Sequence, residues 1–190
     1  VFSEEEAVGS AATALVADER YLYAVQNGTL PVYDIAQTGS PREVATLPGL
    51  GDTRDLDFCS DGRGLAVTSR ENGVYFLDIS DPARPKIASN YPTLEMATGL
   101  AVSGNYAFIC SRYYGVEIFD ITDPAAPVRC SVVGNVEEFF DCCVAGRYLY
   151  VGAWAERDVE VYDISDVCNP LYVSTIQLNG QTGGRTVVDG

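Results

Sequence analysis

The chain has 190 residues, of which 47% are hydrophobic, and it carries 12 basic against 27 acidic residues for a formal net charge of −15. This apolar fraction is enough to build a buried core, which excludes an intrinsically disordered chain. The negative charge repels phosphate groups, so it excludes nucleic acid as a partner and disfavours anionic membrane surfaces.

Four copies of one unit follow each other along the chain, and each is marked by an Asp-Ile pair at the end of an apolar run. The pairs are Asp34-Ile35, Asp78-Ile79, Asp120-Ile121 and Asp163-Ile164, and a proline stands seven residues after each Asp. Successive Asp residues are 44, 42 and 43 positions apart. Self-similarity at such a period indicates a stacked repeat architecture.

Each copy contains four short β-type runs that are separated by turn residues. The third copy is the cleanest, with runs over 99–102, 106–110, 116–121 and 128–133. The equivalent second runs are 21–25, 64–68 and 148–152, and the equivalent third runs are 30–33, 74–77 and 159–162. We predict units at residues 11–47, 53–91, 97–133 and 139–178, followed by the first strand of a further unit at 183–190.

The third run of each copy is apolar on both of its faces. In the third copy, Val116 and Ile118 lie on one face of the strand, and Phe119 and Ile121 lie on the other. An antiparallel sheet with one wet face would alternate apolar and polar residues, so these sheets are predicted to be covered on both sides. This favours an all-β fold, a β-propeller of four-stranded antiparallel blades, over a β-sandwich or a leucine-rich solenoid. We expect about four blades plus the first strand of a fifth in a partial ring, and a closed four-bladed ring is the alternative.

The segments 74–82 and 116–124 resemble the core of the LVIVD repeat, which occurs in bacterial and archaeal β-propellers. Residues 159–166 keep most of that pattern, with Val167 in place of the first proline, and residues 30–35 keep the least of it. The resemblance extends from about Ala11 to Gly190. It implies a ring of more than four blades in a protein that is exported or displayed at the cell surface, and it implies no catalytic set common to the repeats.

The repeated carboxylates, Asp34, Asp78, Asp120 and Asp163, are predicted to be structural. A calcium loop needs alternating oxygen ligands around a glycine, and that spacing is absent from the sequence. Asp, Ser and Thr side chains beside a proline instead favour a turn in which the carboxylate accepts hydrogen bonds from nearby amides. We therefore expect no metal and no cofactor.

The six cysteines lack the C-x-x-C spacing of zinc knuckles and thioredoxin-like motifs. Cys59, Cys110 and Cys142 fall in apolar strands and are predicted to be small buried hydrophobic residues. Cys142 and its neighbour Cys143 point to opposite faces of a strand, which argues against joint chelation. An even number of cysteines permits disulfides, but the sequence leaves their pairing open.

Function is expected in the loops at one rim of the propeller, because loops carry binding residues more often than scaffold strands do. Equivalent loops after the second strands carry Gln26, Arg70, Arg112 and Trp154, and the loops before the first strands carry Arg54, Met96, Glu138, Phe139 and Phe140. The predicted binding set is Arg54, Arg70, Arg112, Tyr113, Tyr114, Trp154 and Arg157. Arginines among aromatic residues form interface hot spots and anion or sugar platforms, whereas a scatter of unrelated surface residues is the alternative.

The chain contains no histidine, which excludes Ser-His-Asp and Cys-His catalysis within this segment. Asp55, Asp141 and Glu138 could supply a carboxylate pair for glycoside hydrolysis, but we expect them to be solvated acids of an axial channel. We therefore predict a non-catalytic module that binds a protein or a ligand, secreted or at the cell surface, with no membrane span in this segment. The alternative is part of a propeller hydrolase or lyase that acts on carbohydrate or another extracellular polymer.

Overall fold

The computed structural model of the chain describes residues 11–37, 39–134, 138–154 and 158–178. Within these ranges it contains sixteen β-strands and no helix, and therefore no helix that could cross a membrane. The strands form four antiparallel sheets of four strands each, in which neighbours along the chain are neighbours in the sheet. The predicted all-β fold of four-stranded antiparallel blades is confirmed. The strand predicted at 183–190 lies outside the described residues.

Each sheet is one copy of the repeat, and we number the blades 1 to 4 in chain order. Blade 1 contains β1 (Ala14–Ala17), β2 (Tyr21–Val25), β3 (Thr29–Asp34) and β4 (Arg42–Pro48). Blade 2 contains β5 (Thr53–Phe58), β6 (Gly64–Ser69), β7 (Gly73–Asp78) and β8 (Lys86–Tyr91). Blade 3 contains β9 (Ala97–Ser103), β10 (Tyr106–Ser111), β11 (Gly115–Asp120) and β12 (Val128–Val133). Blade 4 contains β13 (Phe139–Ala145), β14 (Tyr148–Ala153), β15 (Asp158–Asp163) and β16 (Leu171–Gln177).

Burial falls from the middle strands of a blade to its fourth strand. Strands β7 and β11 are buried at every position except the final Asp, whereas β16 is exposed everywhere except at Thr175. The first strands of consecutive blades contact one another, so they are innermost and the fourth strands are outermost. The apolar residues on both faces of the third strands are therefore covered by the neighbouring blades, as their pattern predicts.

Three hydrophobic cores lie between the four blades. The first contains Val25 and Leu65, the second contains Phe76 and Ile109, and the third contains Phe108 and Leu149. In each core the first residue belongs to the earlier blade and the second to the later one. Removal of this apolar surface from water is the main free-energy gain from stacking one blade on the next.

Threonine side chains add polar links between neighbouring blades. The hydroxyl of Thr13 in blade 1 donates to the carbonyl of Thr53 in blade 2 at 3.1 Å. The hydroxyl of Thr68 donates to Thr98 O at 2.7 Å, and the hydroxyl of Thr98 donates to Phe139 O at 3.0 Å. These bonds satisfy strand carbonyls where the blades approach closely, so they help to set the stacking geometry.

Blade 4 exposes a repeat position that is buried in blade 3. Val133 pairs with Val116 in blade 3, and Ile176 pairs with Val159 at the equivalent position of blade 4. Val133 is 8% exposed because it packs into the core between blades 3 and 4, whereas Ile176 is 46% exposed. The burial of Val133 thus comes from its packing against blade 4.

The repeated Asp residues end the third strands and form turns. Each Oδ1 accepts a hydrogen bond from the amide two residues later, at 3.0 Å from Ala36 N and at 2.9 Å from Ser80 N, Thr122 N and Ser165 N. A short side chain that bonds to the backbone in this way fixes the direction in which the chain leaves the strand.

One disulfide links two blades. Cys130 in β12 is bonded to Cys168 in the turn after β15, and their Cα atoms are 5.2 Å apart. The other four cysteines are free and buried, as predicted for Cys59, Cys110 and Cys142. Burial raises the pKa of Cys59 to about 12, so this thiol stays neutral and behaves as a small apolar side chain.

Candidate functional site

The loops before the first strands and the loops after the second strands meet at one rim of the propeller. Within blade 2, Arg70 N donates to Asp52 O at 2.8 Å, and within blade 4, Trp154 N donates to Glu138 O at 2.9 Å. Between blades 3 and 4, Phe139 N donates to the carbonyl of Arg112 at 2.9 Å. Because such bonds recur from blade to blade, equivalent positions of the repeat lie side by side along the rim.

A cavity of about 560 Å³ opens at this rim, and residues of all four blades line it. We call it the axial pocket. Its lining residues are Thr13 from blade 1, Arg54, Asp55 and Arg70 from blade 2, Thr98, Gly99 and Arg112 from blade 3, and Phe140, Asp141 and Trp154 from blade 4. A concave site with a few convergent polar groups is the usual form of a small-ligand site.

Arg54 and Arg70 form one polar wall of the axial pocket and share the carboxylate of Asp52. Arg54 Nη2 lies 3.1 Å from Asp52 Oδ2, and Arg70 Nη1 lies 3.9 Å from the same oxygen. The Nε atom of Arg70 is also 3.2 Å from the sulfur of Met96. Both arginine side chains remain more than a third exposed, at 37% and 38%. They are therefore oriented by protein partners and still accessible to a ligand.

Arg112 is held more tightly than the other two arginines. Its Nη2 atom donates to Glu138 Oε1 at 2.6 Å, and the hydroxyl of Tyr113 donates to the same oxygen. Hydrogen bonds from Tyr113 and then from Arg112 hold the pKa of Glu138 below its usual range, and the bond to Glu138 raises the pKa of Arg112. The pair is therefore fully charged at neutral pH.

Phe140 and Trp154 form an aromatic wall of the axial pocket next to Arg112. The guanidinium carbon of Arg112 lies 5.6 Å from the ring centre of Phe140, within the range of cation–π attraction. The rings of Phe140 and Trp154 meet edge to face, with centres 5.9 Å apart. Phe140 and Trp154 are 37% and 40% exposed, so a large apolar surface faces solvent at the mouth of the axial pocket.

Asp55, which lines the axial pocket, differs from the sequence-based expectation of a solvated acid. Asp55 is only 9% exposed, and its carboxylate accepts hydrogen bonds from Leu56 N at 3.0 Å and Leu100 N at 3.2 Å. It thus bridges the innermost strands of blades 2 and 3. Gly99 is required nearby, because a Cβ atom there would lie 2.5 Å from the carbonyl oxygen of Phe140.

The structure places the predicted binding residues in different environments. Arg54, Arg70, Arg112 and Trp154 line the axial pocket. Tyr113 stands beside it, with its ring centre 4.8 Å from the guanidinium carbon of Arg112, and Tyr114 is exposed on the same loop. Arg157 lies outside the described residues.

One residue that the sequence grouped with the rim is buried instead. Phe139 is fully buried in the core between blades 3 and 4, because successive side chains of a strand point to opposite faces. Two further residues were missed. Asp52 could have been found as the carboxylate two positions before Arg54, whereas Thr98 carries no distinguishing signal in the sequence.

The chemistry available in the axial pocket is that of binding. Within the described ranges, no group of three or more His, Cys, Asp or Glu side chains is arranged to hold a metal ion. Guanidinium donors, carboxylate acceptors and aromatic faces converge on one cavity, and together they suit a small polar molecule or a side chain of a partner.

Comparison with known families and curated proteins gives one match. The model of the LVIVD repeat matches residues 66–93, 96–135 and 140–177, together more than half of the chain. Blade 1 lies outside these matches, in agreement with its weaker repeat sequence. No curated protein is significantly similar to this sequence.

Solved structures share the propeller fold at low sequence identity. The chain is similar to a protein of unknown function from Desulfotomaculum acetoxidans, with 18% identity, a TM-score of 0.78 and coverage of 94% of this chain and 59% of that one. It is also similar to the periplasmic gluconolactonase of Pseudomonas aeruginosa, with 18% identity, a TM-score of 0.73 and coverage of 88% of this chain and 54% of that one. The computationally designed Ika4 protein is similar with 18% identity, a TM-score of 0.67 and coverage of 83% of this chain and 94% of that one. The chain thus spans somewhat more than half of the two natural propellers, and at this identity the likeness concerns the fold alone.

Proposed function

Because the chain belongs to the LVIVD-repeat family and its four blades surround one polar cavity, we propose that it is a non-catalytic β-propeller module that binds a ligand or a partner at the axial pocket. The observation that carries this proposal is which positions of the repeat supply the residues that line the axial pocket. Arg70, Arg112 and Trp154 occupy equivalent positions of the repeat, where blades 2 and 3 carry arginine and blade 4 carries tryptophan, and all three line one cavity. The scaffold alone requires neither arginine nor tryptophan at these exposed loop positions, so their convergence on one cavity favours a role in binding.

The arginines and aromatics are arranged for recognition. Arg112 is oriented by Glu138, and Arg54 and Arg70 are oriented by Asp52, so the free energy needed to order these long side chains on binding is reduced. The exposed ring of Trp154 adds a large rigid contact surface.

A hydrolase or lyase acting on carbohydrate is the second candidate, favoured by the similarity to a propeller gluconolactonase. One observation speaks against it. The carboxylate of Asp55 is engaged by two backbone amides, and a general base needs a lone pair directed at the reacting proton. Hydrolysis of gluconolactone by the purified chain, abolished in an Asp141→Asn variant, would favour the enzyme over the binding module.

We also propose that the protein works outside the cytoplasm. The disulfide between Cys130 and Cys168 supports this location, because such bonds persist mainly in oxidising compartments. Peptide mass spectrometry of the protein from its native source, without reduction, would detect the linked pair if the proposal holds and two free thiols if it does not.

The binding proposal is tested with variants of the rim that leave the blades intact. Arg70→Ala and Trp154→Ala remove accessible side chains and should keep the wild-type melting temperature within a few degrees, since neither residue belongs to a core. A panel of glycosides, organic anions and short peptides is then screened by ligand-observed NMR. We expect at least one compound to bind the wild type and to lose most of its signal with both variants.

Arg84→Ala serves as the matched control, because this arginine is 82% exposed on the turn after β7, away from the axial pocket. It should bind like the wild type. Unfolding of the Arg70→Ala variant, or equal binding by all variants, would show that the rim residues are structural or incidental and would contradict the proposal.

A further inference from the structure

We infer that the axial pocket binds a neutral pyranose unit of a glycan, in preference to a phosphorylated or carboxylated ligand. This inference rests on the proposed binding function and specifies its ligand class. Three features carry it: an aromatic wall, a set of arginines that are already paired with carboxylates, and the dimensions of the cavity.

The first feature is the aromatic wall. Phe140 and Trp154 of blade 4 line the axial pocket together with Arg54 and Arg70 of blade 2. A pyranose ring has both kinds of complementary surface, because its C–H groups form an apolar face and its hydroxyl groups project from the edge. The negative π-face of an indole attracts those C–H groups, so a sugar ring stacked on Trp154 would keep its hydroxyls available to the arginines of the same cavity.

The second feature is the charge balance. Each of the three arginines has a carboxylate oxygen within 4 Å: Glu138 Oε1 is 2.6 Å from Arg112, and Asp52 Oδ2 is 3.1 Å from Arg54 and 3.9 Å from Arg70. Asp55 and Asp141 line the same cavity and add further negative charge. A phosphate would therefore meet no excess of positive charge and would be repelled by the acids, in a chain whose net charge is −15.

Ion-paired groups remain good partners for hydroxyls. A guanidinium has five N–H donors and a carboxylate has about four acceptor sites, so a bonded pair keeps free capacity on both members. Vicinal sugar hydroxyls, each a donor and an acceptor, can therefore bond to Arg70 and to its partner Asp52 together without disturbing their charges. This pattern favours a neutral polyhydroxyl ligand over a fully charged one.

The third feature is size. The cavity of about 560 Å³ lies within the range of small-molecule sites, and it is open at the rim. It can hold one or two sugar rings with water while the remainder of a glycan extends into solvent. A flat protein surface would not fill such a concave site, whereas a terminal sugar would.

The test uses a property of the sequence, since Trp154 is the single tryptophan of the chain and its fluorescence reports on the axial pocket. Methyl glycosides of glucose, galactose and mannose and free N-acetylglucosamine are titrated in parallel with glucuronate and a glucose phosphate. We expect a saturable change in emission with at least one neutral sugar at roughly millimolar affinity, and at least about fivefold weaker binding of the charged sugars.

Variants identify the contact, and ligand-observed NMR replaces fluorescence where the tryptophan is changed. Trp154→Phe should retain part of the binding and Trp154→Ala should lose it. Tyr172→Ala is the matched control, because it removes a 58% exposed aromatic ring on the outermost strand of the same blade and should bind normally.

The outcomes separate this inference from the proposal beneath it. Tighter binding of glucuronate or the sugar phosphate than of every neutral sugar would overturn the sugar assignment. The sugar assignment also fails if only peptides or organic anions bind in a Trp154-dependent manner, although the binding function would then stand. If no compound of either panel binds at Trp154, both fail.

Discussion

At the scale of the residue, the most regular feature of the chain is its least functional one. Asp120 ends β11 and accepts a hydrogen bond from Thr122 N at 2.9 Å, and the equivalent Asp residues do the same in their blades. Hydrogen bonds from the Thr122 hydroxyl and amide lower the pKa of Asp120. The repeated carboxylates therefore shape turns, while the residues that vary between blades line the axial pocket.

Asp120→Ala should lower the melting temperature by a few degrees at neutral pH, because Thr122 N loses its acceptor. Asp120→Asn should recover most of the loss, since an amide oxygen can accept the same bond. Calorimetry of the three proteins checks this, and calcium should change none of the three melting temperatures. Equal stability of the Ala variant and the wild type would exclude the turn role.

The carboxylate of Asp120 also makes the stability of the fold depend on pH. Because the pKa of Asp120 is lower in the folded chain than its unfolded value of 3.8, its stabilising effect is present above that pH. This stabilisation is lost as the pH falls from 3.8 through the lower pKa that Asp120 has in the folded chain. Urea denaturation in acid should therefore show a smaller loss of stability for Asp120→Asn than for the wild type. An identical acid dependence would contradict the assignment.

At the scale of the element, glycines decide how closely the third and fourth strands of a blade can approach. Gly115 begins β11 with φ of +94°, and a Cβ atom there would lie 2.0 Å from Val133 O. Gly73 has the same role in blade 2, with φ of +81° and a Cβ position 2.2 Å from Tyr91 O. Positive φ and a close backbone neighbour together exclude every other residue type without a shift of the strands.

The variants Gly115→Ala and Gly104→Ala separate the cost of a positive φ from the cost of a close backbone neighbour. Gly104 has φ of +57° with no atom within 4 Å of its Cβ position, so alanine there should cost only the backbone strain of about 1 kcal/mol. Gly115→Ala should cost at least about 2 kcal/mol more, because the clash with Val133 O must be relieved. Chemical denaturation measures both values, and a similar loss for the two variants would show that strand contact is not the constraint.

At the scale of the whole molecule, packing against a neighbouring blade determines whether the apolar face of a blade is core or surface. Val133 and Ile176 occupy one repeat position, and they differ from 8% to 46% in exposure. The disulfide between Cys130 and Cys168 joins the same two blades, so blade 4 is held to blade 3 covalently as well as by packing. Stability in such stacks is the sum of blade and interface contributions.

Val133→Asp should therefore destabilise the chain by about 3 kcal/mol or more, because it places an unpaired charge in the core between blades 3 and 4. Ile176→Asp, the same change at the equivalent position, should alter stability by less than about 1 kcal/mol. Thermal denaturation of both variants is the measurement. A large loss with Ile176→Asp would mean that this face of blade 4 is covered in solution.

The sequence by itself determined the architecture, because the features that encode it are local and repeated. The spacing of the Asp-Ile pairs and the two apolar faces of segments such as 116–121 can be recognised without knowing which blade touches which. Alignment of the repeats on these pairs also places Arg70, Arg112 and Trp154 at equivalent positions of one rim.

Only the tertiary structure decided the chemistry of the axial pocket. The bond from Arg112 to Glu138, the sharing of Asp52 by two arginines, the burial of Asp55 against Leu100 N and the disulfide depend on the distances between loops or neighbouring blades. The physical reason is that hydrogen bonds and ion pairs form within a few ångströms, whereas residue pattern places a side chain only on a face or in a loop. A rim that looked cationic in the sequence is therefore a charge-balanced polar surface once the chain is folded.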